Sequence, residues 1–359
     1  MSQGTIPLTK AYFVPDPALL VKGRPSPYPL FINSSAIQNR EHYVRIFAKG
    51  DVLTEDVLQD FFKKYQQLYI AEDDRTEYLK GACVNLGHNE DEPFVVMKSS
   101  AIQHLDTLFQ HKNEASADVI NQALQDTRKT VENFVEMLKD YNLQDIHELI
   151  GHLSFHDFYT YDHSINVSMY SILIYKLFVP DADHEMVVNA GMGGFLHDIG
   201  KIKIPNRIIN KVGKLTDVEF NEIKKHPDYG YEFLSMPGIV SPPGAQIEKI
   251  KAVVYQHHEN YDGTGYPRKM SGGQIEFLAR VCAVADFFDA ITTKRSYAEA
   301  LPVEEALDLM KKSSGKKLDP LIFDKFLSHM SEKFKIKPCQ FNLSPDFDPC
   351  QPHLKMKKS

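Results

Sequence analysis

The chain has 359 residues, 43% hydrophobic and 25% charged, enough for two modest domains with ordinary buried cores and too long for a single small module. A formal charge of −7 gives no basic surface for a nucleic-acid polymer, so any nucleotide ligand is expected to be small and held in a pocket. No apolar run is long enough for a membrane helix, and the first ten residues lack the basic and apolar regions of a signal peptide, which points to a cytoplasmic protein away from the membrane.

In chain order, Tyr28 to Ile32, Tyr43 to Phe47 and Leu68 to Glu72 are rich in strand formers. Between the last two, Thr54 marks a helix start, with Glu55 and Asp56 in the first turn and Val57, Phe61 and Tyr65 at helical spacing. Residues 1–98 therefore read as a small α+β domain with a sensory, docking or purely structural role. From residue 99 the pattern turns helical. Ile102, Leu105, Phe109, Val119, Leu124, Val131, Val135 and Leu138 lie on amphipathic faces, and 99–145 are expected to form connecting helices that pack against, or begin, a helical bundle. Residues 146–337 form the main helical domain, closing with a helix from Leu321 to Lys333. The proline-containing stretch 338–359 reads as an extended tail. The fold class is thus mainly α, a helical bundle with a small N-terminal α+β domain.

Four cysteines, Cys83, Cys282, Cys339 and Cys350, have no paired spacing and read as reduced thiols. The 15 histidines are the richer signal. Thirty-three residues separate His163 from the pair His197-Asp198, 27 separate that pair from His226, 30 separate His226 from His257-His258, and 27 separate that pair from Asp286. In a helical chain each interval equals a helix plus a connection, so each group can reach one central point from a different helix. Seven N/O ligands exceed what one tetrahedral ion needs. They suit two adjacent metals, with Asp198 as the natural bridge. His42, His88, His104, His111, His329 and His353 read as structural or surface residues, and His147, His152, His156 and His184 fall off the spacing.

The strings around these residues carry a resemblance. GGFLHDIGKIKIP (193–205) resembles the signature of HD-superfamily phosphohydrolases, and YQHHENYDGTGYP (255–267) resembles the motif of its HD-GYP subfamily. The likeness runs in order from about residue 159 to residue 320. It implies an all-helical domain with an iron- or manganese-containing cluster held by His163, His197, Asp198, His226, His257, His258 and Asp286. Lys201 would face the scissile phosphate, the loop with Gly265, Tyr266 and Pro267 would border the substrate, and Arg295 would bind substrate phosphate. The implied activity is hydrolysis of the bacterial second messenger cyclic di-GMP to pGpG, GMP or both. Two close cations acidify a bridging water and neutralise phosphoryl charge, so hydroxide can attack in line at neutral pH. Asp198 and Lys201 are the expected catalytic residues. Protein partners are expected, if at all, through the N-terminal domain or the GYP loop.

Two departures from the family pattern bear on the site. Tyr159 stands where a subset of the family has a glutamate that helps hold a third metal, so two ions are expected, iron first and manganese as the alternative. Ala298 stands where the family commonly has a second cation after Arg295. The alternative is therefore an HD-GYP protein of weak or no turnover that binds nucleotide and signals. The extended GYP motif argues against an HD hydrolase acting on some other nucleotide phosphate.

Overall fold

The computed structural model describes residues 12–13, 15, 17, 20–34, 42–65, 67–71, 74, 77–78, 81, 97–98, 101–102, 104–105, 116–139, 147, 159–209, 211, 215–293 and 300–334. The chain divides into two compact units, Met1–Gln103 and His104–Ser359.

The first unit is the small α+β part. Strands β2 (Leu30–Asn33) and β3 (Tyr43–Phe47) pair antiparallel, as do β1 (Tyr12–Phe13) and β4 (Ile70–Ala71), and a bridge between Phe31 and Tyr69 joins the two ribbons. Helix α1 (Glu55–Lys64) starts where the sequence marks it. The Thr54 hydroxyl accepts a hydrogen bond from the Val57 N–H at 3.3 Å, and Glu55 and Asp56 sit at the positive end of the helix dipole. Leu58 turns inward, and Phe61 meets Phe47 edge-on at 6.3 Å. Tyr28, expected in a strand, precedes β2 instead. Its ring is buried and its hydroxyl accepts the Val21 N–H at 2.9 Å.

The second unit is helical. Its elements are α2 (Ala117–Met137), α3 (Tyr159–Phe178), α4 (His184–Leu196), a 3-10 turn (Ile199–Lys203), α5 (Asn206–Ile209), α6 (Asp217–Ile223), α7 (His226–Leu234), α8 (Ile247–Gln256), α9 (Phe277–Thr292), α10 (Val303–Ser313) and α11 (Pro320–Phe334). Helices α3, α4 and α9 are apolar on nearly every face, and nearly all of α4 and α9 is buried, so these three form the centre of the bundle. Helix α8 packs on α4 and α9, α7 packs on α8 and the 3-10 turn, and α10 and α11 pack on α9 and α3. Phe326 of α11 meets Phe288 of α9 at 5.1 Å.

Helix α2 falls in the span expected to connect the two domains and to pack against or begin the bundle, and it packs on α4 within this unit. It buries Ile120, Leu124, Val131 and Phe134, and Arg128 reaches Glu185 of α4 at 2.8 Å. Phe109, part of the same expected helical span, and the expected tail 338–359 lie outside the described residues. Among the described residues no helix is long and apolar enough to cross a membrane.

Candidate metal centre

The seven candidate ligands come from five helices and the 3-10 turn. His163 lies on α3 and Asp286 on α9. His197 caps the C-terminus of α4, and Asp198 follows it at the head of the turn that carries Lys201. His226 opens α7, and His257 caps α8 with His258 next in the chain. Gly200 lets the 3-10 turn approach α7: a Cβ there would lie 1.9 Å from the His226 carbonyl oxygen and 2.5 Å from the Gly230 nitrogen. This contact holds the turn carrying Asp198 against the start of α7. As a result Asp198 Oδ1 lies 3.2 Å from His226 Nε2.

All seven residues meet, in two adjacent groups. Asp198, His226, His257 and His258 form one, and His163, His197 and Asp286 the other; within each, the potential ligand atoms lie within 4.8 Å of one another. The Asp198 carboxylate joins them. Its Oδ1 faces His226 Nε2 at 3.2 Å and His257 Nε2 at 3.9 Å, while its Oδ2 faces His197 Nε2 at 3.3 Å and His163 Nε2 at 3.8 Å.

The donor set fits divalent cations. Nδ1 of His197, His226 and His257 donates to the carbonyl three residues earlier, that of Gly194 at 2.7 Å, Ile223 at 2.7 Å and Val254 at 3.0 Å. A carbonyl can only accept, so in the neutral rings the Nε2 lone pairs point inward. The Nε2 atoms of His226 and His257 then stand 3.1 Å apart beside Asp198 Oδ1, a buried oxygen with no hydrogen-bond partner. A buried acceptor cluster of this kind calls for a positive charge at its centre.

The protonation states agree. Burial pushes the His226 and His257 imidazoles down, to about 4 and about 3, and holds His258 well below its ordinary value. For Asp198 burial acts in the opposite sense, but Lys201, His197 and His226 outweigh it and keep the carboxyl well below the usual range. Asp286 is held low in the same way, chiefly by His163. Neutral imidazoles and ionised carboxylates are the forms that bind a metal. His163 differs. Burial would lower it, but hydrogen bonds to Asp286 and Asp289 prevail and raise it to about 9. Its Nε2, 3.2 Å from Asp286 Oδ1, holds a proton that a cation would displace.

Lys201 is partly buried and its ammonium donates to Asp198 Oδ2, beside the centre rather than out in solvent. The loop after His258 folds back onto it. The Tyr266 N–H donates to the His258 carbonyl at 3.1 Å, and the two rings lie 4.9 Å apart. At Gly265 a Cβ would lie 2.1 Å from the Asn260 nitrogen and 2.5 Å from the His258 carbonyl oxygen, so only glycine fits this return. Pro267 follows in the same loop. Arg295 and Ala298 lie outside the described residues.

Among the histidines set aside, His104 bonds Thr127 at 2.9 Å and His147 bonds the Tyr170 hydroxyl at 3.0 Å. Three buried groups escaped the sequence reading. Glu259 accepts the N–H groups of Arg268 at 2.6 Å and Met270 at 3.0 Å, which anchors the far side of the loop. Asp289 accepts from His163 Nδ1 at 2.7 Å, and Asn166 donates to Asp289 at 2.8 Å. The available signal was spacing: Asn166 follows His163, and Asp289 follows Asp286, by one helical turn.

Comparison with known proteins gives the site its relatives. Residues 177–322 match the HD domain family. A cyclic di-GMP phosphodiesterase of Pseudomonas aeruginosa is 41% identical over 172 residues, 48% of this chain and 39% of that protein. A 3'3'-cGAMP-specific phosphodiesterase of Vibrio cholerae is 36% identical over 166 residues, 46% of this chain and 34% of that protein. A cyclic di-GMP phosphodiesterase response regulator of Xanthomonas campestris pv. campestris is 42% identical over 139 residues, 38% of this chain and 35% of that protein. The chain thus spans between 34% and 39% of the length of these curated relatives. A solved HDG"Y"P protein from Bdellovibrio bacteriovorus is 18% identical, with a TM-score of 0.51 over 90% of this chain and 100% of that one, and shares its fold. The HDIGK and HHENYDGTGYP strings both fall inside the segment that matches the HD domain family, so the similarity to these proteins is carried by the part of the chain that holds the candidate ligands.

Proposed function

We propose that the helical unit is a metal-dependent phosphodiesterase that hydrolyses cyclic di-GMP to pGpG, GMP or both, with two divalent ions, iron first and manganese as the alternative. The ligands would be His163, His197, Asp198, His226, His257, His258 and Asp286. The observation that carries this reading is the Asp198 carboxylate, which turns one oxygen to each group of imidazoles. That is the arrangement of a bridge between two ions. Bound divalent ions would acidify water and neutralise charge on the phosphoryl oxygens.

The chain's own residues would bind and orient. Lys201 holds its ammonium beside Asp198, and an ammonium has three donors, so one can serve the carboxylate while another meets a phosphate oxygen. Gly265, Tyr266 and Pro267 would line the substrate side, with the Tyr266 ring against His258. Arg295 would contact substrate phosphate. The relatives named for cyclic di-GMP and for 3'3'-cGAMP support a cyclic dinucleotide as the substrate class. Cyclic di-GMP is the choice within it.

The test is anaerobic loading of the full chain with Fe(II) or Mn(II), metal analysis, and chromatography of products from both cyclic dinucleotides. Cleavage of cyclic di-GMP that requires metal is expected. Fully loaded protein that binds cyclic di-GMP without cutting it, or that cuts only 3'3'-cGAMP, would refute the reading.

A further inference from the structure

His163 differs from the neighbouring histidines in what holds its outer nitrogen. His197, His226 and His257 stand at helix ends and donate Nδ1–H to last-turn carbonyls. His163 lies inside α3, where the helix's own ladder occupies the backbone carbonyls. Its Nδ1 instead meets Asp289 Oδ2 of α9 at 2.7 Å, across the contact between the central helices α3 and α9.

Asp289 is completely buried and is itself held. Asn166, one turn beyond His163 on α3, donates to Asp289 Oδ1 at 2.8 Å, and the Thr293 hydroxyl donates to the same oxygen at 2.8 Å. Three donors converge on one carboxylate. They fix its plane, leaving Oδ2 aimed at the His163 ring.

We infer that Asp289 is the positioning residue for His163, fixing the tautomer with Nδ1 protonated and aiming Nε2 at Asp198 and Asp286. This rests on the reading of the site as a metal centre. The opposite tautomer would put the proton on Nε2 and abolish ligation from α3. An amide at position 289 has one acceptor in place of two. It can accept from His163 only if Asn166 and Thr293, which now donate to the other oxygen, turn to accept from its NH2; otherwise it turns over and donates to Nδ1, which selects the wrong tautomer.

The experiment compares wild type, Asp289→Asn, and the exchange variant Asn166→Asp/Asp289→Asn in the full chain. In the exchange variant the amide at 289 can accept from His163 and donate to the new carboxylate. Titration of metal-free protein with Mn(II), read by the electron paramagnetic resonance of the free ion, gives affinity without reference to turnover. The single variant should bind on the order of 10–100-fold more weakly, the range typical of outer-shell partners, and the exchange variant should return to within a few-fold of wild type. Nitrogen NMR of histidine-labelled, zinc-loaded wild type, with His163 assigned by His163→Gln, should show Nδ1 protonated.

Weakened Mn(II) binding at unchanged melting temperature, restored by the exchange, supports the inference. Asp289→Asn binding like wild type, an exchange variant no better than the single one, or an unprotonated His163 Nδ1 would overturn it. Wild type that binds no Mn(II) would overturn the metal reading itself, so the two failures are separable. If Asp289→Asn does not fold, the exchange variant and the wild-type spectrum still decide the question.

Discussion

Gly200→Ala places one methyl group where the structure has no room for it. The new Cβ would sit 1.9 Å from the His226 carbonyl oxygen and 2.5 Å from the Gly230 nitrogen. Carbon and oxygen settle no closer than about 3.3 Å, so the 3-10 turn and α7 must part by more than about 1 Å. Both obstacles are backbone, and no rotamer change relieves them. Overpacking costs about 1–3 kcal/mol where side chains can yield, and the upper end applies here. At roughly 2–4 °C per kcal/mol for a unit of this size, the melting temperature should fall by about 6–12 °C. The parting also separates Asp198 and Lys201 from His226, and a misplacement of about 1 Å at a reacting centre lowers rate on the order of 100-fold. Gly230→Ala is the control. Its Cβ meets mainly the Val254 Cγ1 at 2.5 Å, the movable end of a side chain, so the loss should be smaller. Differential scanning calorimetry and Mn(II) titration of both variants measure the two effects. A Gly200→Ala protein that melts and binds metal like wild type, or that is less affected than Gly230→Ala, would show that the approach of turn to helix is not what assembles the site.

Asp198→Asn should empty both groups of metal while leaving helical circular dichroism intact, because it removes the charge each shares; retention of even one ion per chain at wild-type affinity would refute the bridge. Chelation of loaded wild type should lower the melting temperature of the helical unit, since an ion at about 100 times its Kd contributes about 2.7 kcal/mol, roughly 5–10 °C; identical melting with and without chelator would count against a buried centre. Burial raises the Tyr28 hydroxyl from its ordinary 10.0 to about 12. The folded protein therefore keeps this proton through a pH window in which the unfolded chain loses it. Stability of the N-terminal unit is full below pH 10 and should fall by about 3 kcal/mol between pH 10 and 12. Urea unfolding across that window, compared with Tyr28→Phe, measures the slope; equal slopes would refute the assignment.

The sequence made the candidate ligands legible because histidine and aspartate pairs are chemically uncommon and stand inside strings such as HDIGK and HHENYDGTGYP. Helical spacing added that each group arrives on a separate element, as His163 on α3 and Asp286 on α9 do. Asp289 was not legible, because in the string ADFFDAI it is one more polar residue in an apolar helix. Its meaning lies in Asn166 and His163 on α3, partners that no local pattern joins to it. Gly200 is visible as part of a motif, yet the His226 carbonyl that demands a glycine appears only when α7 packs against the turn. Helix α2 shows the same limit from the side of the fold. Its apolar face was evident, but periodicity does not say which surface covers that face, and α4 covers it. Tyr28 has strand propensity, while a buried hydrogen bond to Val21 decided its place.

The ends of α4, α6 and α8 explain why histidine suits this centre. A helix leaves its last carbonyls without intrahelical donors, and these must find partners when buried. At α6 the loss is built into the chain: Pro227 has no N–H to give the Ile223 carbonyl four residues before it, and His226 Nδ1 donates there at 2.7 Å. His197 and His257 do the same for the ends of α4 and α8. An imidazole has two nitrogens on opposite sides of one rigid ring, so closing the helix end with one sets the protonation and direction of the other. A thiolate or carboxylate offers no N–H donor in this role. The negative ends of the helix dipoles also face the cluster, which favours a cation there. Fold and proposed metal centre would therefore depend on the same rings. Replacing one of these histidines would leave a carbonyl unpaired at the helix end and remove a candidate ligand at once. His163, inside α3, stands apart from these three, and a carboxylate from α9 accepts from its Nδ1 at 2.7 Å.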